Sequence, residues 1–433
     1  MRIILTNCTV IDCTGKASME DMTVVIEGEK IAGLKPGVYQ PAVEEEEVRV
    51  FDLEGGYVLP GLWNVHTHVS GLFPHLGDTQ HRMASESVID CAIRAGRNCL
   101  DALRAGVTGI RVVGARDYTD VAWRDAFNAG VFVGPRLFVC GEAISVTGGW
   151  GPGVDGPYEM RKAVRERLKH GVDQIKLIVS GGHGDMIRTG VAESMQVANT
   201  LQDEVEAAVE VAHQKGKRVC IHTSNPGMKT AIRAGVDCIE HGYWMDDEAV
   251  ALMVENDVFY VPTLVCNLDE QFMLDSGGLD KFHAGRALVA QSEGVTPQYA
   301  KVHLEGFHKA LKAGVKICCG GDSNPGGEFA LLEIEHLARA GMGEMEALIA
   351  ATRTCADLCG VVDRLGTVEV GKLADLIVLS ADPLEDISNI RKLELVFKGG
   401  NLVDTRSPEG LGDFWELFFD LESPTGGRRH PTL

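Results

Sequence analysis

Residues 61–68 read Gly-Leu-Trp-Asn-Val-His-Thr-His, an apolar strand that ends in two histidines two positions apart. Side chains at positions i and i+2 of a strand point to the same side, so His66 and His68 can reach one point in space. Neutral imidazoles are good ligands for zinc and its neighbouring transition metals. The stretch therefore predicts the first strand of a sheet and the opening pair of a metal site. Two histidines at a sheet rim also fit a purely structural role, so the pair needs support from the rest of the chain.

After His68 the sequence alternates between helical segments that end at a glycine and apolar strands. The glycines occupy the position where a helix closes with a left-handed residue, and Asn256 is predicted to take the same role. They are Gly106, Gly130, Gly171, Gly216, Gly235 and Gly314. With the opening strand, the expected strands are 109–113, 136–140, 174–179, 218–222, 238–241, 258–262 and 315–319. Eight such units predict an α/β protein with a (β/α)8 TIM barrel. A flat doubly wound sheet is the structural alternative, but no glycine-rich phosphate loop supports it.

The two ends of the chain have short strand-like runs between glycine, lysine and proline turns, rather than helical patterns. This texture predicts that residues 1–57 and 361–406 pair into a small β-sandwich domain beside a barrel formed by residues 58–360. The C-terminal tail, residues 407–433, carries four aromatic side chains and is expected to cap the molecule or dock on a partner subunit. These aromatic residues are Phe414, Trp415, Phe418 and Phe419.

The overall composition excludes several classes of protein. The 433 residues include 41 basic and 62 acidic side chains, a net charge of -21, which argues against a nucleic-acid or anionic-membrane partner. No apolar run is long enough to span a bilayer, and the N-terminus starts a strand rather than a signal peptide. The twelve cysteines are scattered without zinc-knuckle spacing, so we expect buried reduced thiols in a cytoplasmic protein.

Polar residues stand at the ends of five of the expected barrel strands, where the chemistry of such barrels is located. Each one alone has a structural reading, as a core histidine, a strand lysine or a capping aspartate. Together they predict a metal-dependent active site. They are His66 and His68 on the first strand, Lys176 on the fourth, His222 on the fifth, His241 on the sixth and Asp322 after the eighth. A bare lysine ammonium would be repelled by a metal, so Lys176 fits best as a carbamate formed with CO2.

The ordered set His66-x-His68, Lys176, His222, His241 and Asp322 resembles the amidohydrolase superfamily. The similarity is to the binuclear dipeptidase and prolidase subgroup, which is related to imidazolonepropionases. Further motifs that carry it are Gln174-Ile175-Lys176 with Ser180-Gly181-Gly182, Ile239-Glu240-His241-Gly242, Gly371 to Leu376 and Phe397 to Gly400. The resemblance implies two divalent metal ions, with zinc preferred. One would be held by His66, His68 and Asp322, the other by His222 and His241, with carboxylated Lys176 bridging both.

The same resemblance implies a mechanism in which a metal-bridging hydroxide attacks a carbonyl carbon. Asp322 would accept the proton and deliver it to the leaving amine, and Tyr243 would donate to the developing oxyanion and contact substrate. Two loops depart from the family pattern. Thr147-Gly148-Gly149-Trp150 lacks an expected histidine, and the next loop carries an unexpected one, His183. His183 and Arg188 are predicted substrate contacts, Arg188 for a carboxylate.

The function expected from these observations is hydrolysis of an amide or peptide bond in a small molecule, such as an Xaa-Pro dipeptide, an N-acyl amino acid or a related amide or carbamate. One alternative is a mononuclear deaminase or cyclic-amide hydrolase of the same fold. The deaminase would need a glutamate near His222, and the following Thr223-Ser224-Asn225 provides none. Another alternative is a non-catalytic metal-binding scaffold, which would be expected to lack a ligand. Besides the small-molecule substrate, a second copy of the chain is the expected partner, in a homo-oligomer.

Overall fold

A computed structural model describes residues 2–39, 48–71, 86–149, 153–182, 192–267, 296–324 and 326–405. The strands are β1 Arg2–Val10, β2 Met19–Glu27, β3 Lys30–Pro36, β4 Val48–Asp52, β5 Tyr57–Pro60, β6 Leu62–Thr67, β7 Val107–Val112, β8 Arg136–Phe138, β9 Ile144–Ser145, β10 Ile175–Ile178, β11 Val219–Ser224, β12 Cys238–Tyr243, β13 Phe259–Val261, β14 Leu376–Leu379, β15 Leu393–Lys398 and β16 Asn401–Leu402. The α-helices are α1 Val88–Arg104, α2 Thr119–Asn128, α3 Gly156–Lys169, α4 Gln202–His213, α5 Gly227–Arg233, α6 Asp247–Glu255, α7 Thr296–Ala313, α8 Gly326–Leu337, α9 Glu344–Ala350 and α10 Arg353–Leu358.

Strands from both ends of the chain form one sheet, in the order β16-β15-β14-β5-β1-β2-β3, with β4 beside β1. The ends meet where β14 pairs antiparallel with β5, for example Val378 opposite Val58. One face of this sheet buries its own apolar cluster, which includes Leu5, Val24 and Phe397. The prediction that the two termini pair is therefore confirmed.

The chain passes from this terminal sheet into the central part of the molecule at Gly61, between β5 and β6. A Cβ atom at this position would lie 2.1 Å from Oγ1 of Thr108. Only glycine fits so close an approach between the two segments. Strand β5 thus pairs within the terminal sheet, and β6, which carries His66, begins the parallel part.

Two purely parallel sheets make up that central part, β6-β7-β8 and β13-β12-β11-β10-β9. Helices alternate with the strands, and their apolar sides share one continuous core with them. This arrangement confirms an α/β protein with parallel βα units. The segment expected as the eighth strand is not a regular strand among the described residues, but it forms a parallel bridge between Ile317 and Tyr260.

Six helix ends agree with the glycine pattern, because Gly106, Gly130, Gly171, Gly216, Gly235 and Gly314 all have positive φ angles. The prediction for Asn256 was wrong by one residue. Asn256 has a φ of -101°, and the left-handed position is taken by Asp257, with a φ of 54°. Asparagine and aspartate both tolerate this conformation, so the side chain at position 256 did not decide where the helix closed.

All twelve cysteines lie in the described residues, and all are free thiols. Ten of them are buried, which agrees with the expectation that no disulfide framework exists. Among the described residues, no helix combines the length and the apolar character that crossing a bilayer requires.

Candidate metal centre

The two histidines of the opening strand are held in fixed orientations. Nδ1 of His66 lies 2.6 Å from Oε2 of Glu240, and Nδ1 of His68 lies 3.0 Å from the carbonyl oxygen of Gly114. Both oxygens can only accept, so each Nδ1 carries the hydrogen. The Nε2 atoms then face Oδ1 of Asp322, at 3.2 Å from His66 and 3.4 Å from His68. An imidazole with an anchored Nδ1–H presents its Nε2 lone pair to a metal.

Asp322 is placed by its backbone. Its N–H donates to the carbonyl of His66 at 2.7 Å, and the N–H of Gly321 donates to Oδ1 of buried Asn64 at 3.0 Å. Asp322 itself has a φ of 51°, a left-handed conformation that a non-glycine residue adopts at a cost. These contacts tie the loop after residue 319 to β6, so the carboxylate faces the histidine pair.

His222 and His241 come from neighbouring strands, and their ring centroids lie 4.5 Å apart. Nε2 of His222 donates to the carbonyl oxygen of Gly181 at 3.1 Å. Nδ1 of His241 lies 2.7 Å from Oγ1 of Thr263, and its Nε2 lies 3.9 Å from Oδ2 of Asp322. Each of the four histidines therefore has one ring nitrogen anchored by the protein.

Ligand atoms of His66, His241 and Asp322 lie within 4.8 Å of one another, close enough to share a metal ion. Burial and the neighbouring Lys176 lower the pKa of His222 to about 3, and burial with the nearby His222 and His66 lowers that of His241 well below its usual value. Imidazoles that stay neutral at physiological pH are in the form that binds metal.

Lys176 is the most informative member of the cluster. Lys176 is 3% exposed, and its Nζ atom has no hydrogen-bond partner among the described residues. Burying an unpaired ammonium is costly, and its positive charge already disfavours protonation of His222 and His241. Conversion of the amine to a carbamate would replace that charge by a carboxylate that metals can bind. The buried donor set thus fits a divalent metal ion better than it fits the bare side chains.

Tyr243 lies directly beside the histidines. Its ring is parallel to that of His241, with centroids 5.5 Å apart, and meets the ring of His303 edge-on at 4.6 Å. Tyr243 is 1% exposed and therefore packs in the interior. Its contact with an oxyanion stays a prediction. His183, Arg188 and Trp150 lie outside the described residues, and so does the aromatic tail. Thr147 is described, and its hydroxyl donates to Asp155 at 2.5 Å.

Sequence reasoning missed two buried charges next to the histidines, Glu240 and Arg111. Nη2 of Arg111 lies 2.6 Å from Oε1 of Glu240, whose other oxygen accepts from His66. Burial alone would raise the pKa of the Glu240 carboxyl, but the charge of Arg111 and the hydrogen bond from His66 lower it, so the carboxyl is ionised. A signal did exist, because an arginine in the apolar run of β7 and a glutamate before His241 both break the strand pattern.

Several known proteins are similar to this chain. The amidohydrolase family model matches residues 57–403. Ochratoxinase from Aspergillus niger is 31% identical over 393 residues, covering 83% of this chain and 77% of its own. A crystal structure of an Xaa-Pro dipeptidase with bound methionine is 31% identical, with a TM-score of 0.78 over 93% of this chain and 100% of that one. A prolidase complexed with N-methylphosphonate-L-proline is 29% identical, with a TM-score of 0.77 over 93% of this chain and 99% of that one.

Proposed function

The chain belongs to the amidohydrolase family, and on that premise we propose that it is a metal-dependent hydrolase of amide or peptide bonds in small molecules. The observation that carries the proposal is the buried Nζ of Lys176, which lies among anchored histidines and has no hydrogen-bond partner in the described part of the chain. A non-catalytic scaffold would have no use for an uncompensated buried amine. A mononuclear deaminase would not need Lys176 as a metal ligand. Neither alternative therefore accounts for the buried amine.

We assign the ligands as the family resemblance implies. His66, His68 and Asp322 would hold one divalent ion, and His222 and His241 the other, with carboxylated Lys176 between them. When bound, such ions polarise a carbonyl and lower the pKa of water to near neutrality. Zinc is the ion that a mixed imidazole and carboxylate set suits best among the common candidates.

Two of the chain's own side chains would handle the charges of the reaction. Burial raises the pKa of the Asp322 carboxyl, but the histidines around it outweigh burial and hold that pKa well below its usual value. Asp322 therefore starts as a base, takes a proton from the attacking water and gives it to the departing amine. Tyr243, fixed against His241, is proposed to donate its hydroxyl hydrogen to the oxygen of the attacked carbonyl.

We infer that the two parallel sheets close into one (β/α)8 barrel. In support, the N–H of Val65 in β6 donates to Cys319, and the N–H of Cys318 donates to Tyr260 in β13, so residues 318–319 connect both sheets. On the other side, the carbonyl of Val139, just after β8, accepts from Asp173, just before β10. The terminal sheet, including β5, would form the separate small β-sandwich domain with the division near Gly61 rather than at residue 57.

The relatives narrow the substrates to be tried. An Xaa-Pro dipeptidase, a prolidase and ochratoxinase are among the similar proteins, so dipeptides with a C-terminal proline and N-acyl amino acids head the series. Carbamates and other small amides follow, because the same attack on a carbonyl carbon would cleave them.

The test is hydrolysis by protein depleted of metal with a chelator and then reloaded with zinc or cobalt. We expect activity on members of this series to disappear on depletion and to return on reloading, with about two ions bound per chain. Full hydrolysis by demonstrably metal-free protein would contradict the proposal, and so would metal binding without turnover of any amide in the series.

A further inference from the structure

We propose that Arg111 and Glu240 act as a positioning pair that fixes His66 and so sets how tightly the His66, His68 and Asp322 side of the centre holds its ion. The inference rests on the proposed function, but it concerns two residues that are not ligands. Four contacts and one backbone irregularity support it.

Glu240 determines which nitrogen of His66 is available. Its carboxylate oxygen lies 2.6 Å from Nδ1 of His66, and both side chains are almost wholly buried, at 0% and 1% exposure. Because an ionised carboxylate only accepts, the hydrogen is held on Nδ1, and Nε2 is the nitrogen left to bind a metal. A carboxylate partner also makes the imidazole more basic, and hence a stronger ligand, than a carbonyl partner would.

A bulge in β12 explains how Glu240 and His241 can both point toward the same centre. Adjacent residues of a regular strand project to opposite faces. Here Thr223 is opposite His241 and Ser224 is opposite Tyr243, so Gly242 is an extra residue in the strand. His241 and Gly242 both have positive φ angles, 65° and 69°. Bulges of this kind re-aim side chains next to active sites, and this one lets Glu240 reach His66 while His241 faces Asp322.

Arg111 holds Glu240 and the His66 strand together. Its guanidinium donates from Nη2 to Glu240 at 2.6 Å and from Nε to the carbonyl of Val65, the residue before His66, at 2.5 Å. A third contact, from Nη1 to Oε1 of Gln174 at 3.3 Å, reaches the residue before β10. The planar fork of an arginine can make all these bonds at once, whereas a lysine cannot. Arg111 thus neutralises Glu240 and spans both parallel sheets.

A purely structural ion pair is the competing explanation, and it makes a different prediction. If the pair only stabilised the interior, its loss would lower the melting temperature without changing the zinc affinity of the protein that stays folded. If the pair positions His66, zinc affinity itself must fall. The decisive readout is therefore the dissociation constant of zinc, measured on folded protein by competition with a chromogenic chelator.

The central variant is Glu240→Gln, which keeps the size of the side chain but removes the carboxylate. We expect its zinc affinity on the His66, His68 and Asp322 side of the centre to fall about 10- to 100-fold, the range found when partners of ligand histidines are lost. The absorption spectrum of the cobalt-loaded variant should also change, because His66 becomes a weaker ligand and alters the ligand field at the metal. The matched control is Glu335→Gln, a buried carboxylate 2.5 Å from Arg391 and outside the histidine cluster. It should lose thermal stability but keep wild-type zinc affinity and cobalt spectrum.

Arg111→Lys provides the second variant, and it serves also if Glu240→Gln does not fold. The lysine keeps a cation near Glu240 but cannot make the several hydrogen bonds of the planar guanidinium. We therefore expect a severalfold weaker zinc affinity. Wild-type affinity and cobalt spectrum in the folded variants would overturn the inference while leaving the proposed function intact. Failure of the wild-type protein itself to bind metal would instead remove the proposed function.

Discussion

Nε2 of His66 lies 3.2 Å from Oδ1 of Asp322, and the two residues are also joined by a backbone hydrogen bond of 2.7 Å. The residues are distant in the chain, yet both the side chains and the main chains meet. A carboxylate fixed in this way can stay beside the imidazoles of the candidate metal centre while it exchanges a proton. The arrangement makes the role of Asp322 open to a direct test.

We expect Asp322→Asn to retain much of the metal but to lose turnover, because an amide oxygen can ligate yet an amide cannot shuttle a proton. The loss in kcat should be about 10²- to 10⁴-fold, the usual contribution of a general acid–base. Metal content by elemental analysis and kcat on the best substrate would be measured together. Asp375→Asn, a buried carboxylate that pairs with Arg136, is the control and should turn over normally. A wild-type rate in Asp322→Asn would refute the assigned role.

Replacement of Lys176 by alanine should remove the proposed bridge. We expect the variant to bind about one ion fewer than the wild-type protein and to lose activity, as elemental analysis and the hydrolysis assay would report. Intact-protein mass spectrometry under native conditions should find one CO2 adduct on the wild-type chain and none on the variant. Lys398→Ala, at a partly buried lysine of the terminal sheet, is the control and should keep both metal and adduct. A full metal complement in Lys176→Ala would exclude the bridge.

Tyr243→Phe tests the proposed oxyanion contact. The ring stacked on His241 is retained, so metal content and folding should be unchanged. Loss of one oxyanion donor should reduce kcat by about 10²- to 10³-fold, with a smaller effect on KM. Tyr260→Phe is a useful comparison, since Tyr260 is also buried but its hydroxyl donates to the backbone carbonyl of His241. If Tyr243→Phe matched the wild-type kcat, Tyr243 would be a packing residue alone.

Metal removal should destabilise the fold around the centre. Buried imidazoles and Asp322 converge there, so an ion that binds only the native state adds stability, about 2.7 kcal/mol at a hundredfold excess over the dissociation constant. Thermal unfolding of chelated protein should therefore begin at a lower temperature and recover as zinc is added. A melting temperature that is independent of zinc concentration would argue against a native-state site.

Glu333, which is not one of the candidate metal ligands, should make the stability of the fold depend on pH. Its buried carboxyl accepts the N–H groups of Leu264 and Val265, at 3.0 and 2.7 Å, and burial raises its pKa to about 8. The unfolded chain releases this proton at a lower pH than the native protein does. The stabilisation is therefore complete below the ordinary carboxyl pKa and is lost as pH rises toward 8, at about 1.4 kcal/mol per pH unit.

Glu333→Gln should remove this decline, because the amide stays neutral throughout. Denaturant unfolding between pH 5 and about 8.5 would be compared for wild-type protein, Glu333→Gln and the exposed control Glu346→Gln. The first variant should gain stability relative to wild type as pH rises, and the control should follow the wild-type curve. Parallel curves for all three proteins would contradict the assignment.

Much of the architecture could be read from local patterns. The spacing of His66 and His68 placed both on one side of a strand end, because alternation along a strand is a local property. The helix-closing glycines were found for a similar reason, since a left-handed position favours glycine within its own turn. Asn256 and Asp257 can both adopt the left-handed conformation, so the predicted end of that helix was wrong by one residue.

The amino-acid sequence by itself determined the alternation of strands and helices and the strand character of both chain ends, since these follow from periodicity, and it supplied the candidate ligands through their side-chain chemistry. Only the tertiary structure decided how the ligands are oriented. The hydrogen bond from His66 to Glu240, the bulge at Gly242 and the burial of the Lys176 amine depend on contacts between strands far apart in the chain. Residues that are neighbours in space set the protonation, the burial and the orientation of these side chains. The pattern along a single strand does not contain that information.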